Sequence, residues 1–70
     1  MTAKEWIQAF AARLGVDAPD DATIEALLHL AGTAAHGSER TAAPIACWLV
    51  GLTGVGPAEA QAAADAVGGS

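Results

Sequence analysis

Seventy residues with a formal charge of -5, set by three basic residues against eight acidic ones, describe one small acidic domain. Lys4, Arg13 and Arg40 are too few and too scattered to build the basic face that a phosphate backbone or an anionic membrane needs, so neither is an expected partner. Cys47 is single, which excludes an intrachain disulfide, and its apolar setting reads as a small core side chain rather than a reactive thiol.

The first helix is predicted over about 3–14. Thr2 and Glu5 have the spacing of a capping box, Trp6, Ile7, Phe10 and Leu14 follow at helical intervals, and Gly15 suits a left-handed stop. Val16 to Pro19 reads as a connection. A second helix is predicted over about 21–36, with Asp20 or Asp21 as its cap, a buried stripe of Ile24, Leu27, Leu28, Ala31 and Ala35, and Gly37 as terminator.

Pro44 fixes the third helix. A start at Ser38 would put the proline in the helix interior, whereas Thr41 as N-cap puts it in the first turn, where a missing N–H costs nothing. The helix is therefore predicted over about 42–53, with Ile45, Trp48, Leu49 and Leu52 facing the core. Gly54 to Pro57 is a turn, and Pro57 opens an Ala-rich fourth helix over about 57–67, with Ala60, Ala63, Ala64 and Val67 inward. No period-2 alternation indicates a strand. The expected fold is an all-α bundle of four short, mostly antiparallel helices, with both tryptophans in its core or one of them at an interface.

No apolar run is long enough to span a bilayer and no signal-peptide pattern is present, which makes a cytoplasmic location the expectation. No nucleophile–base–orienter set, phosphate loop or dinucleotide fingerprint appears, so neither an enzyme nor a cofactor is expected. Glu25, His29 and His36 share a helical side but span three turns, too far to converge on a metal ion.

The junction of the second and third helices holds the candidate binding residues. His36, Arg40, Thr41 and Pro44 gather there, and an imidazole and a guanidinium beside a helix N-terminus would suit a small anion, a carboxylate or phosphate. Alternatively, His36 caps the second helix and Arg40 pairs with Glu39, Glu25 or a carboxylate of the first helix. A second candidate is Gly54-Val55-Gly56, which resembles the hairpin of helix-hairpin-helix modules, where such a turn offers amides to a DNA phosphate. The positions after it, Ala58, Glu59 and Gln61, hold no Lys or Arg, so a structural turn is the favoured reading.

Taken together, Leu27-Leu28-His29-Leu30-Ala31, Ala35-His36, Arg40, Ala42-Ala43-Pro44 and Leu49-Val50-Gly51 resemble a small domain family of unknown function. That family occurs mainly in actinobacteria, alone or appended to molybdopterin-guanine dinucleotide biosynthesis proteins of nucleotidyltransferase type. The resemblance covers about residues 4–52, with Trp6 at a similar spacing ahead of the block. Where that family often carries a longer Gly-rich insert before its last helix, this chain has only Gly54 to Pro57. The resemblance implies an accessory role near molybdenum-cofactor maturation. The expected function is a non-enzymatic interaction domain that takes a protein partner or self-associates. The alternatives are a small anion or nucleotide binder at the His36–Arg40 junction and a DNA contact at Gly54–Gly56.

Overall fold

Local chemistry sets every helix boundary in the computed structural model, which describes residues 1–68. Helix α1 runs Ala3–Leu14. At its start the Glu5 amide donates to Thr2 Oγ1 at 3.1 Å and the Thr2 amide donates to Glu5 Oε1 at 2.8 Å, satisfying two otherwise orphaned donors reciprocally. At its end Gly15 takes a φ of 76°, a conformation that strains any residue with a Cβ. The amides of Gly15 and Val16 then turn back to Ala12 O and Ala11 O.

Helix α2, Asp21–Gly37, is capped by Asp20, whose Oδ1 accepts from the Thr23 amide at 2.8 Å. Helix α3, Ala42–Thr53, starts after Thr41 and places Pro44 at its third residue; helix α4, Pro57–Val67, opens on its proline. The four elements fall where the sequence places them, α2 running one residue further to Gly37. Together they form an all-α bundle without strands among the described residues. Among the described residues no helix is long and apolar enough to cross a membrane.

Helix α2 is the centre, and its extensive partners are α3 and α4. The start of α3, at Ala42 and Ala46, shares a groove with Thr33, Ala34 and Gly37, so α3 folds back along α2. The start of α4 lies by Ala22 and Ala26, while Ala64 and Val67 lie by Ala34 and Ser38, so α4 runs in the same direction as α2. Thr23, Ala26, Leu27, Leu30, Thr33, Ala34 and Gly37 recur at three- and four-residue intervals and are all at least half-buried. Most of them are small, which lets the neighbouring backbones approach closely. Gln61 ties α4 to this stripe: its Nε2 donates to Thr33 Oγ1 at 3.0 Å and to Asp65 Oδ1 at 2.9 Å. Helix α1 adjoins the start of α2, where Lys4 meets Asp21 at 2.9 Å, an exposed pair that contributes little.

The side chains that fill this interior are only in part those that periodicity selects: Ile24, Leu27, Ala31, Ala35, Ala60 and Ala64 turn inward as expected, and others do not. Among the described residues the buried apolar set is Ala11, Leu30 and Ala60. Leu30, only 3 % exposed, replaces Leu28, which is 67 % exposed, as the central leucine of α2. Val67 and Ala63 are exposed, and Gln61 and Ala64 join Ala60 on the inner side of α4. Trp6 is 54 % exposed and stacks on Phe10 (ring centroids 4.9 Å apart), on a side of α1 whose surroundings are Met1 and α1's own Ala9 and Arg13.

Surface area records the same fact. The chain exposes 5206 Å². A closed monomer of its 6.9 kDa exposes about 4,000 Å², an excess here of about 1,200 Å².

Two predictions follow from this interior and these caps. Leu30→Ala is expected to cost roughly 2–5 kcal/mol, the range for a buried leucine, whereas Leu28→Ala should stay within about 0.5 kcal/mol, both read from urea unfolding followed by circular dichroism. The caps add a pH dependence. The Thr2 amide and then its hydroxyl hold the Glu5 carboxyl below the usual range, and the Thr23 hydroxyl and then its amide do the same for Asp20. Carboxyls whose folded pKa is depressed stabilise the fold above their unfolded pKa and lose that contribution as pH falls through the folded one. The melting temperature should therefore fall on acidification below the ordinary carboxylate range, and Glu5→Gln with Asp20→Asn should flatten that limb.

Candidate functional site

The α2–α3 junction is built by a broken helix and a tight restart. Ser38 ends α2, its hydroxyl donating to Ala34 O at 2.7 Å. The Ala42 amide then donates to Glu39 O at 2.9 Å and the Ala43 amide to Arg40 O at 3.2 Å. Thr41 occupies the N-cap position, but its backbone is already helical and its side chain caps nothing. The first two amides of α3 are thus engaged within the chain, and the third residue is Pro44, which has none. What the junction presents to an anion is side chains, without the free amides that make a helix start a strong anion site.

The candidate residues here do not converge. His36, Arg40, Thr41 and Pro44 are all exposed. His36 lines a surface groove of about 390 Å³ with His29 and Asp65, whereas Arg40 is not part of it. Arg40 forms no ion pair among the described residues, so the expected pairing with Glu39, Glu25 or a carboxylate of α1 is not made. Among those residues no three His, Cys, Asp or Glu side chains gather closely enough to hold a metal ion.

The hairpin at Gly54-Val55-Gly56 is similarly engaged. Gly54 takes a φ of 73° and its amide donates to Val50 O at 3.3 Å; the Val55 amide donates to Thr53 Oγ1 at 3.3 Å. Val55 is half-buried, and Glu59 stands in the first turn of α4. Two of the three amides that would face a phosphate are used to close the turn.

A chemically uniform feature lies on α3 itself, which carries no charged residue. Ala42, Ala43, Ala46, Cys47 and Val50 are its half-buried residues, while Ile45, Trp48, Leu49 and Leu52 are exposed, Trp48 by 64 %. The exposed four have the i, i+3, i+4, i+7 spacing of one continuous stripe. Helix α3 is therefore turned opposite to expectation: small residues pack inward and the large apolar ones face out. Close approach to the small-residue stripe of α2 explains the choice, because alanines on both sides fit where an indole would not. The signal for this face is present in the sequence, since residues 42–53 contain no charge, and a helix apolar all round asks to be covered all round. Thr41 and Pro44 stand on the same side, four residues ahead of Ile45 and Trp48 respectively.

The chain belongs to a family described as a domain of unknown function, DUF6457, whose model matches residues 1–69. No curated protein and no solved structure matches the chain.

The two glycines of the hairpin separate a structural turn from a phosphate cradle. Gly54→Ala should destabilise the fold by about 1–2 kcal/mol, the strain of a left-handed alanine. Gly56→Ala, at a φ of -70° with no heavy atom near the added Cβ, should leave the melting temperature within a few degrees.

Proposed function

We propose that this domain is a non-enzymatic accessory module that works by binding protein, with the outer face of α3 as its docking surface. The observation that supports this most directly is the inversion of α3. A stripe of four large apolar side chains faces outward on a helix that has no charge to keep it solvated. Contiguous apolar surface of this kind marks interaction sites, because leaving it in water costs about 25 cal/mol per Å². The junction residues enter the same reading: Thr41 and Pro44 edge the face, and His36 and Arg40 supply exposed polar groups close to it in the chain. Polar groups around an apolar centre are the ordinary arrangement of a protein interface.

The resemblance to domains appended to nucleotidyltransferase-type proteins gives this reading its specific form, an accessory role in molybdenum-cofactor biosynthesis in the cytoplasm. In that role the domain binds and orients, and the chemistry belongs to its partner. Calorimetry of the purified domain with a molybdopterin-guanine dinucleotide nucleotidyltransferase tests it. Binding should weaken at least ~10-fold, about 1.4 kcal/mol, in Leu49→Glu and stay unchanged in Glu59→Gln on α4. Equal affinity for wild type and Leu49→Glu would move the surface away from α3, and no binding at all would remove the molybdenum-cofactor assignment.

A further inference from the structure

We infer that the cleft between the starts of α2 and α4 is a site for a small uncharged ligand that presents a carboxamide on an apolar body. No residue of α3 lines this cleft, so it is separate from the protein-docking face.

The cleft has the size and the lining of a ligand site. It holds about 480 Å³, within the ~300–1,000 Å³ usual for small-molecule sites. Ala22 and Ala26 of α2 and Pro57 and Ala58 of α4 give it short apolar walls, and Thr23, His29 and Gln61 are its polar groups. No acidic residue, lysine or arginine lines it, in a chain whose net charge is -5. An uncharged ligand therefore enters without an ion to pair or to desolvate.

Two sets of unsatisfied polar atoms define the head group. Gln61 Nε2 donates to Thr33 Oγ1 at 3.0 Å and to Asp65 Oδ1 at 2.9 Å, which uses both its hydrogens and fixes which way the amide is turned. Its Oε1 is buried and has no donor among the described residues. Buried acceptors are ordinarily paired, so this oxygen lacks a partner that the chain does not supply. The second set lies one turn earlier in α4. Gly56 at the N-cap has no side chain, and the Ala58 and Glu59 amides have no acceptor among the described residues.

Together these atoms select one chemistry. Ala58 and Gln61 are three residues apart and so share a side of α4. A carboxylate or phosphate would serve the free amides but not the oxygen, and an ammonium would serve the oxygen but not the amides. A carboxamide serves both, its C=O accepting at the helix start and its N–H donating to Gln61 Oε1. Water does not reach that oxygen, so an entering donor displaces no solvent molecule from it. His29 lines the cleft, is exposed, and its ring makes no hydrogen bond among the described residues, which leaves it free to turn aside as the ligand enters.

The test is a titration of the isotope-labelled chain with benzamide, a carboxamide on a flat apolar body, followed by amide chemical shifts. Benzamide should move the backbone amides of Ala22, Ala26, Ala58 and Glu59 and the side-chain amide of Gln61, with a dissociation constant of about 1 mM. Acetophenone, which has a methyl where benzamide has its NH₂, should bind at least ~10-fold more weakly, and so should benzoate, which keeps acceptors and has no donor. Ala58→Leu and Ala22→Leu, each filling the cleft from an exposed position, should abolish the shifts with the helical circular dichroism intact. Leu49→Glu, on the outer face of α3, should leave them as in wild type. Benzamide that moves no cleft amide at about 10 mM, binds no better than acetophenone, or binds undiminished in both leucine variants overturns the inference. Shifts confined to Ile45, Trp48, Leu49 and Leu52 overturn it too, and leave the α3 docking surface standing.

Discussion

Close approach between small side chains on α2 and its neighbours is the constraint on which the rest of this structure depends. Ala26, Ala34 and Gly37 of α2, Ala42 and Ala46 of α3, and Ala60 and Ala64 of α4 are buried or half-buried, with Leu30 the one large side chain that is buried among the described residues. Helices that meet through alanine and glycine gain dispersion contacts between backbones, but they enclose little apolar area. The consequence is geometric. A helix that turns its alanines inward turns its leucines and tryptophan outward, and on α3 there is no charged residue to occupy the outer side instead.

The boundaries of the helices were legible because single residues with strong local preferences set them. Thr2 and Glu5 bond reciprocally, Asp20 caps α2, Gly15 and Gly54 adopt left-handed stops, and Pro44 and Pro57 are tolerated only near a helix start. The rotation of each helix about its axis was not legible in the same way. Periodicity gives a phase only when one face is polar, and α3 is apolar on every side, so the choice between Ala46 and Trp48 as the inward residue falls to what α2 can accept. Leu28 and Leu30 pose the same problem two residues apart. Gln61 was passed over because a polar side chain on an Ala-rich helix reads as solvated, and only the tertiary fold supplies Thr33 as its acceptor.

The candidate sites show a related boundary between sequence and structure. His36, Arg40 and the two glycine turns carry the residue types that bind anions, and those types are visible in the chain. Whether their amides are free is not, because it depends on hydrogen bonds made after folding. Here the Ala42, Ala43, Gly54 and Val55 amides are all engaged by nearby acceptors. The absence of charge over residues 42–53 is a signal for the outer face of α3 that the chain itself carries, although periodicity alone turns Ile45, Trp48, Leu49 and Leu52 inward.

Association and stability are then coupled through one helix. A chain of this length encloses a modest core, and the covering of α3 adds apolar burial that the isolated fold lacks. Anything that binds the folded form and not the unfolded one raises apparent stability in proportion to RT ln(1 + [L]/Kd), with [L] the free concentration of whatever covers the face. At a hundredfold excess over Kd this is about 2.7 kcal/mol, a large share of the 5–15 kcal/mol typical of folded domains. The small residues of α2 that expose the α3 stripe therefore also make the fold responsive to its occupancy. A substitution on the outer face of α3 reaches the stability of the molecule through the partner it repels, and one at Leu30 reaches the partner through the fold it loosens.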